Sequence, residues 1–333
     1  MKRIILVFLI VASFIRLEAA ESPLSEIFFA GEIPNSAAIG RGMAYCAVTP
    51  SPYAPYWNPG GLVKMQHSML GVSFNLNANS YTETHVLKDS YPLEGRSLNF
   101  ISVCGDQVGI YWRPLSSRID YSSWTVSGIK GEETIEGKIS MCGVTVAVPH
   151  NELVDFGMNI NYISGIIGVS RVEGNDVSLV VSDGYGWGLD WGLIYSVTPN
   201  VNMGLTLLNC PAYIYWEDYD KDRLPVFFRT GFDIRLAGLA ALGIDYANGP
   251  EVGPATGNGI FYFGIEQYVK NNIIARAGVS GKDFNDAYKT MYTAGLGFSS
   301  NGYGIDIAFR HYYLDNNESS KVTRSSVSGV VPF

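Results

Sequence analysis

The sequence predicts an all-β fold, an antiparallel transmembrane β-barrel of about 14 strands. Three observations carry that expectation. Large apolar residues alternate with small or polar ones through most of the chain, with the period of a strand that has two unlike faces. Short turns interleave with long polar connections, as in outer-membrane barrels. The chain opens on an export-type leader, and no later stretch is apolar for long enough to cross a bilayer as a helix.

The leader comes first. Lys2 and Arg3 precede an almost unbroken apolar run from Ile4 to Ile15, followed by Ala19 and Ala20. Basic region, apolar run and small residues together form a Sec-type signal peptide, residues 1–20. The run is shorter than the roughly 20 residues a membrane-spanning helix needs. A mature chain seated in the membrane must therefore be a closed barrel, because lipid cannot satisfy an open sheet edge.

Residues 21–66 do not alternate. They hold the small residues Ala37, Ala38, Gly40, Gly42 and Ala44, then a proline- and aromatic-rich run from Thr49 to Leu62. Prolines at 50, 52, 55 and 59 exclude regular helix and central strand, so a compact irregular segment is expected.

Beyond residue 66, alternating segments follow one another to the end. The segment from Tyr185 to Val197 is the most telling, with Tyr185, Trp187, Leu189, Trp191, Leu193, Tyr195 and Val197 on one face. Gly186, Gly188, Asp190 and Gly192 share the other. Such a face packs on a second sheet in a sandwich or turns to lipid in a barrel. Similar alternation covers 226–236, 261–266, 273–280, 292–299 and 303–310, with further strands near 68–79, 97–104, 107–115, 134–149, 152–164, 201–209 and 239–247. Residues 116–130 and 166–182 read as loops or irregular strands. The final strand-like stretch, Ser325 to Phe333, puts Val327, Gly329, Val331 and Phe333 on one face. A terminal aromatic on the last strand is the kind of signal that barrel-insertion machinery reads, although Pro332 removes a ladder donor.

The connections decide between sandwich and barrel. Turns at Pro149–Asn151, Thr198–Asn200, Lys270–Asn272 and Ser300–Gly302 are short. Those at Asn79–Arg96, Pro211–Pro225, Asn248–Asn258, Ser280–Lys289 and Leu314–Arg324 are long and polar. A sandwich does not require that interleaving; an outer-membrane barrel of a two-membrane bacterium does.

Charges on the strands then belong to the lumen, because an Arg or Lys facing lipid near midplane costs roughly 2–4 kcal/mol. The expected lumen-lining residues are Asp190, Arg229, Asp233, Arg235, Asp245, Glu266, Arg276, Asp306 and Arg310. Both signs are present, which fits a salt-bridge network filling the interior or a polar-lined substrate path, and a pore selecting one ion sign would instead show a single-sign ring.

Composition excludes several classes. Removing residues 1–20 takes Lys2, Arg3, Arg16 and Glu18 from 23 basic and 31 acidic residues, leaving 20 against 30 and a net charge of −10. That acidity argues against a nucleic-acid partner. Cys46, Cys104, Cys142 and Cys210 lie far apart with no metal-ligand spacing, and no disulfide is expected. His67, His85, His150 and His311 have no neighbouring nucleophile or acid that would make a catalytic set. No phosphate loop, dinucleotide fingerprint or metal motif is present, so neither an enzyme nor a cofactor is expected.

Two stretches, Ala38-Ile-Gly-Arg-Gly-Met-Ala-Tyr45 and Ala54-Pro-Tyr-Trp-Asn-Pro-Gly-Gly-Leu62, resemble the N-terminal segment of the PorV/PorQ group of FadL-like outer-membrane proteins. Gly40, Gly42 and Met43 match its glycine-rich element. Asn58, Pro59, Gly60 and Leu62 match its Asn-Pro-Ala-Gly-Leu element, with Gly60 in place of the usual Ala. The group's acidic pair is replaced by Pro50-Ser-Pro52. The second half is similar too, in Leu224-Pro-Val-Phe-Phe-Arg-Thr-Gly231, Gly264-Ile-Glu266, Ala275-Arg-Ala-Gly278 and Gly304-Ile-Asp-Ile-Ala308.

The resemblance implies an N-terminal plug, or hatch, formed by residues 21–66 inside a barrel formed by residues 67–333. It implies a non-enzymatic role supporting type IX-like protein secretion or cargo attachment, with secretion components or exported cargo as partners beside membrane lipid. The alternative it implies is a FadL-like transporter of fatty acids or aromatic hydrocarbons, through a plugged lumen with lateral exit.

Overall fold

The computed structural model describes residues 33–76, 98–126, 129–174, 176–236, 238–248, 259–270, 272–313 and 321–333. The expected signal peptide and Asn79–Arg96 connection lie outside these residues. Among the described residues sixteen strands are present: β1 (Met69–Asn75), β2 (Leu98–Cys104), β3 (Val108–Val126), β4 (Ile129–Pro149), β5 (Val154–Glu173), β6 (Asp176–Thr198), β7 (Val201–Leu208), β8 (Ala212–Trp216), β9 (Asp222–Arg223), β10 (Phe227–Leu236), β11 (Ala240–Asn248), β12 (Ile260–Lys270), β13 (Ile273–Gly281), β14 (Thr290–Ser300), β15 (Tyr303–Tyr313) and β16 (Lys321–Pro332).

Fourteen of these close on themselves. Each pairs antiparallel with its neighbour in the order β1 to β7 and then β10 to β16, and β16 pairs back to β1, where Met69 meets Pro332 and Asn75 meets Ser326. Closure leaves the ring with no terminal strand, which is the condition for a sheet in lipid. β8 and β9 form a small addition on the upper half of β6, where Gly184 meets Trp216 and Gly188 meets Ala212.

The alternation predicts the two faces of the wall. On β6, Tyr185, Trp187 and Trp191 are exposed on the outside, while Gly186, Gly188, Asp190 and Gly192 are buried within. The same pattern puts Val144, Ile160, Phe232, Ile244, Leu296 and Ile307 on the outer surface. Apolar side chains left exposed around a closed barrel form the band that faces lipid in an outer-membrane protein.

Two readings of the sequence need correction. Among the described residues of 116–130 and 166–182 the strand alternative holds and the loop alternative does not. Residues 116–126, 129–130, 166–173 and 176–182 are paired in the long β3–β4 and β5–β6 hairpins, where Ser116 pairs with Ile139 and Val169 with Val180. These strands run 19 to 23 residues, well beyond the 9–11 that cross a bilayer. Outside lipid nothing enforces a polar and an apolar face, so the alternation lapses while the backbone pairing continues. Nor is Pro211–Pro225 wholly irregular, since it contains β8 and β9.

Residues 33–65 lie against the inner face of the wall. They contain two short helices, α1 (Ser36–Gly40) and α2 (Ala54–Trp57), and a 3-10 turn at Pro59–Lys64. Asn35 caps α1 by accepting from the Ala37 N–H at 2.9 Å. Pro55 and Pro59 sit at the first turns of the other two, where no N–H is needed.

Candidate functional site: the lumen and the segment within it

The wall receives the segment on glycine. Gly157 faces Gly192 across β5 and β6, Gly204 faces Gly231 across β7 and β10, and Gly243, Gly264 and Gly278 adjoin one another across β11, β12 and β13. A Cβ on Gly157 would collide with Pro59 and Gly60, one on Gly204 with Cys46, and one on Gly264 with Arg41. A strand glycine weakens its strand and marks a close backbone approach. Here the approach is the segment's own backbone. Gly42 is matched in turn: its φ is +64°, and a side chain there would meet Phe263, Gly278 and Val279.

Polar side chains of the wall complete the contact. Asp245 accepts from the N–H groups of Tyr45 and Cys46, both at 2.8 Å. Thr293 accepts from Gly42 N–H at 3.0 Å and donates to Gly40 O at 3.2 Å. Thr206 donates to Trp57 O at 3.0 Å, and Asn159 Nδ2 to Pro55 O at 2.6 Å. Arg41 forms a buried ion pair with Asp233, the kind of pair whose disruption is costly because one charge is left alone. Near the short turns, Lys64 bonds Ser196 at 2.6 Å and lies 3.7 Å from Asp155.

Asn58 is the most connected residue of the expected motif. Its Nδ2 reaches Cys46 O at 3.0 Å, Leu193 O at 3.0 Å and Leu205 O at 3.3 Å, while Oδ1 accepts from Gly60 N–H. It ties one part of the segment to another and to β6 and β7. Pro59 and Gly60 rest on Gly157 and Gly192, and Leu62 is fully buried beside Gly109. Gly40 packs on Gly295, and Met43 is buried at a φ of 66°. Burial also pushes the Cys46 thiol up to about 12, so it stays protonated.

The expected lumen charges separate into groups. Asp233 and Asp245 meet the segment directly. Arg235 lies at the rim, half-exposed, with Nη2 on Thr49 O at 2.6 Å. Asp190 holds the wall together, accepting from Asn159, Asn161 and the Asn209 N–H. Arg276 bridges Glu266 and Asp306. Arg229 lies over the rings of Trp57 at 4.6 Å and Tyr262 at 5.1 Å. Arg310 is buried with its guanidinium 5.9 Å from the Tyr312 ring.

Sequence reasoning missed Arg41, Tyr53, Arg113, Asn159 and Thr293. The last three stand at inward positions of strands already recognised, so the rule that selected the other charges, extended to every polar inward position, would have found them. Arg41 and Tyr53 carry no periodic signal.

The chemistry of the lumen changes along its length. Toward the long connections the inward positions carry Ile139, Met141, Ile163, Ile167, Ile214, Trp216, Ile260, Tyr262 and Met291, all buried and joined in one cluster with Ile39, Met43, Tyr53 and Trp57 of the segment. The wall is least tied between β2 and β3. Among the described residues their pairing covers Ile101–Cys104 with Gly109–Trp112, and beyond it Pro114 has no N–H to give.

Comparison with known proteins agrees with this architecture. The CymD monoaromatic hydrocarbon channel superposes with a TM-score of 0.59 at 14% identity, over 92% of this chain and 98% of its own. A Pseudomonas aeruginosa FadL homologue gives 0.60 at 12% identity, over 92% and 99%. The fold is that of the FadL-type outer-membrane barrels. The P. putida toluene transporter TodX is similar in the same way, with a TM-score of 0.58 at 12% identity over 92% of this chain and 99% of its own. No family model and no curated protein matches the sequence.

Proposed function

We propose that this chain is a non-enzymatic outer-membrane channel for hydrophobic small molecules, with residues 21–66 as the hatch of a barrel formed by residues 67–333. The observation that carries the reading is the apolar half of the lumen. A water-filled pore keeps a polar interior. A site for an apolar ligand is concave and mostly apolar, with a few placed polar groups. The inward positions around Ile163, Ile214 and Trp216 are apolar and buried, which supports the second character. Ligand would collect there, meet the hatch at Tyr53 and Trp57, and leave sideways at the weakly paired β2–β3 seam. Phe333, directly after the last strand, serves as the signal to the barrel-insertion machinery. The shared fold with hydrocarbon channels supports the reading; the secretion role rests on the sequence motifs alone.

The test is uptake. Cells carrying the chain should accumulate a labelled hydrophobic compound faster than cells without it. Ser36 Oγ lies 3.0 Å from Ser326 Oγ, so a disulfide between Ser36→Cys and Ser326→Cys would lock the hatch to β16. Locked protein should stop uptake, and reductant should restore it. Uptake indifferent to the chain, together with exported cargo trapped in its absence, would replace the channel with the secretion role.

A further inference from the structure

We propose that Arg113 is the anion-binding residue of the lumen, and that the ligand it selects is an aromatic carboxylate. This rests on the channel reading and narrows it: a neutral hydrocarbon offers Arg113 no anion, and a straight fatty acid makes little use of the rings around it.

Arg113 stands on β3 at an inward position, two residues beyond buried Tyr111 and paired in register with Met141 on β4. Its guanidinium lies 4.9 Å from the centre of the Tyr56 ring, and Nη2 approaches Met141 Sδ at 3.9 Å. Among the described residues no carboxylate forms an ion pair with it, and its buried Nε has no acceptor. Asp190 accepts instead from two side-chain amides and a backbone N–H. Three other lumen cations are differently placed: Arg41 meets Asp233, Arg276 meets Glu266 and Asp306, and Lys64 lies beside Asp155.

An arginine beside a ring and a thioether, with a buried donor left over, is stabilised when an anion completes it. The fork of a guanidinium matches a carboxylate in two parallel bonds. Arg113 is half-buried, so part of it is open to the lumen. It also stands one residue beyond Trp112, where the β2–β3 ladder ends. Charge capture therefore takes place where the wall is least tied.

The surroundings select the rest of the molecule. Phe100 stacks on Tyr111 with ring centres 5.9 Å apart and planes 22° from parallel, and Tyr53 meets Phe100 at 5.6 Å. With half-buried Tyr56 these buried rings make the side of the lumen where Arg113 stands an aromatic one. A ring stacked there gains contact that a flexible alkyl chain makes less well, since the chain must also be ordered.

The experiment uses the full-length protein in detergent, titrated by fluorescence with 2-naphthoate, its neutral counterpart naphthalene, and decanoate. The expected order is 2-naphthoate bound at least tenfold more tightly than either of the others. In Arg113→Met, 2-naphthoate should fall to the level of naphthalene while naphthalene binding stays unchanged. Arg113→Lys should keep part of the preference. Unchanged heat-modifiable migration shows that each variant is folded. Naphthalene bound as tightly as 2-naphthoate, or 2-naphthoate binding unmoved by Arg113→Met, overturns the role of Arg113 and leaves the channel reading standing. Decanoate bound more tightly than 2-naphthoate overturns the aromatic ligand. Failure of all three compounds to bind overturns the channel reading itself.

Discussion

Gly243→Ala should release the inner segment while leaving the wall intact. A Cβ at Gly243 would lie 2.7 Å from Ala44 O and 2.8 Å from Ala44 Cβ. Ordinary contact begins at 3.4 Å, so 3.4 less 2.7 leaves 0.7 Å that the backbone near Ala44 must yield. Neither neighbour is the free end of a flexible side chain. The displaced backbone adjoins Tyr45 and Cys46, whose N–H groups reach Asp245, so strain and weakened hydrogen bonds act together. Overpacking of this kind costs roughly 1–3 kcal/mol. A midpoint of about 2 kcal/mol corresponds to an opening equilibrium about 30-fold larger.

Cys46 reports on that opening, since it is buried and its thiol is protonated in the closed state. Maleimide labelling, resolved by peptide mass spectrometry, should reach Cys46 about 30-fold faster in Gly243→Ala. Gly304→Ala is the control, with its nearest atoms at 3.7 and 3.9 Å, and should label like the parent protein. An unchanged rate in Gly243→Ala, or an equal gain in both variants, would refute the view that the glycines seat the segment.

Other perturbations probe the remaining parts. Arg41→Met leaves Asp233 without its main partner and should destabilise the folded protein by about 3–5 kcal/mol, with much of the loss recovered in the double variant Arg41→Met/Asp233→Leu, as followed by the temperature of the heat-modifiable shift. Asn58→Ala removes three bonds to carbonyl oxygens and should cost about 1–3 kcal/mol in segment docking, read again as Cys46 labelling. Trp191→Arg places a charge on the exposed face near the middle of the β6 span and should impair insertion by about 2–4 kcal/mol, whereas Val197→Arg near the end should cost about 0–1 kcal/mol, both measured by folding into lipid vesicles. Ile163→Asp in the apolar half of the lumen should abolish hydrophobic uptake while membrane assembly, scored by heat-modifiable migration, is retained.

The wall was legible because lipid and lumen impose opposite demands on neighbouring residues. Wherever both act, as on β6 between Tyr185 and Val197 or on β15 between Tyr303 and Phe309, side chains record them with period 2. Where the strands rise clear of the bilayer, around Ser170 and Arg171, polar residues serve on both faces and the record disappears. The inner segment was legible in kind and not in path. Its prolines and small residues announce compact irregular structure, but its course depends on partners such as Gly264 and Thr293, more than 200 positions away in the chain. Arg113 was within reach of the inward-position rule, but its lack of an acidic partner among the described residues is seen only in three dimensions.

The Tyr53 hydroxyl lies 2.9 Å from Val72 O on β1 and 2.9 Å from Gly329 O on β16. Those two strands bring the first and last parts of the cylinder together. Ser36 reaches the same junction through Ser326 and Ser328, and Asn35 through Ser73. The clasp of the ring is therefore fastened from the inside. Withdrawing residues 35–53 to clear a passage would also undo stitches across the join, so opening the way through this protein and loosening its circumference are coupled events.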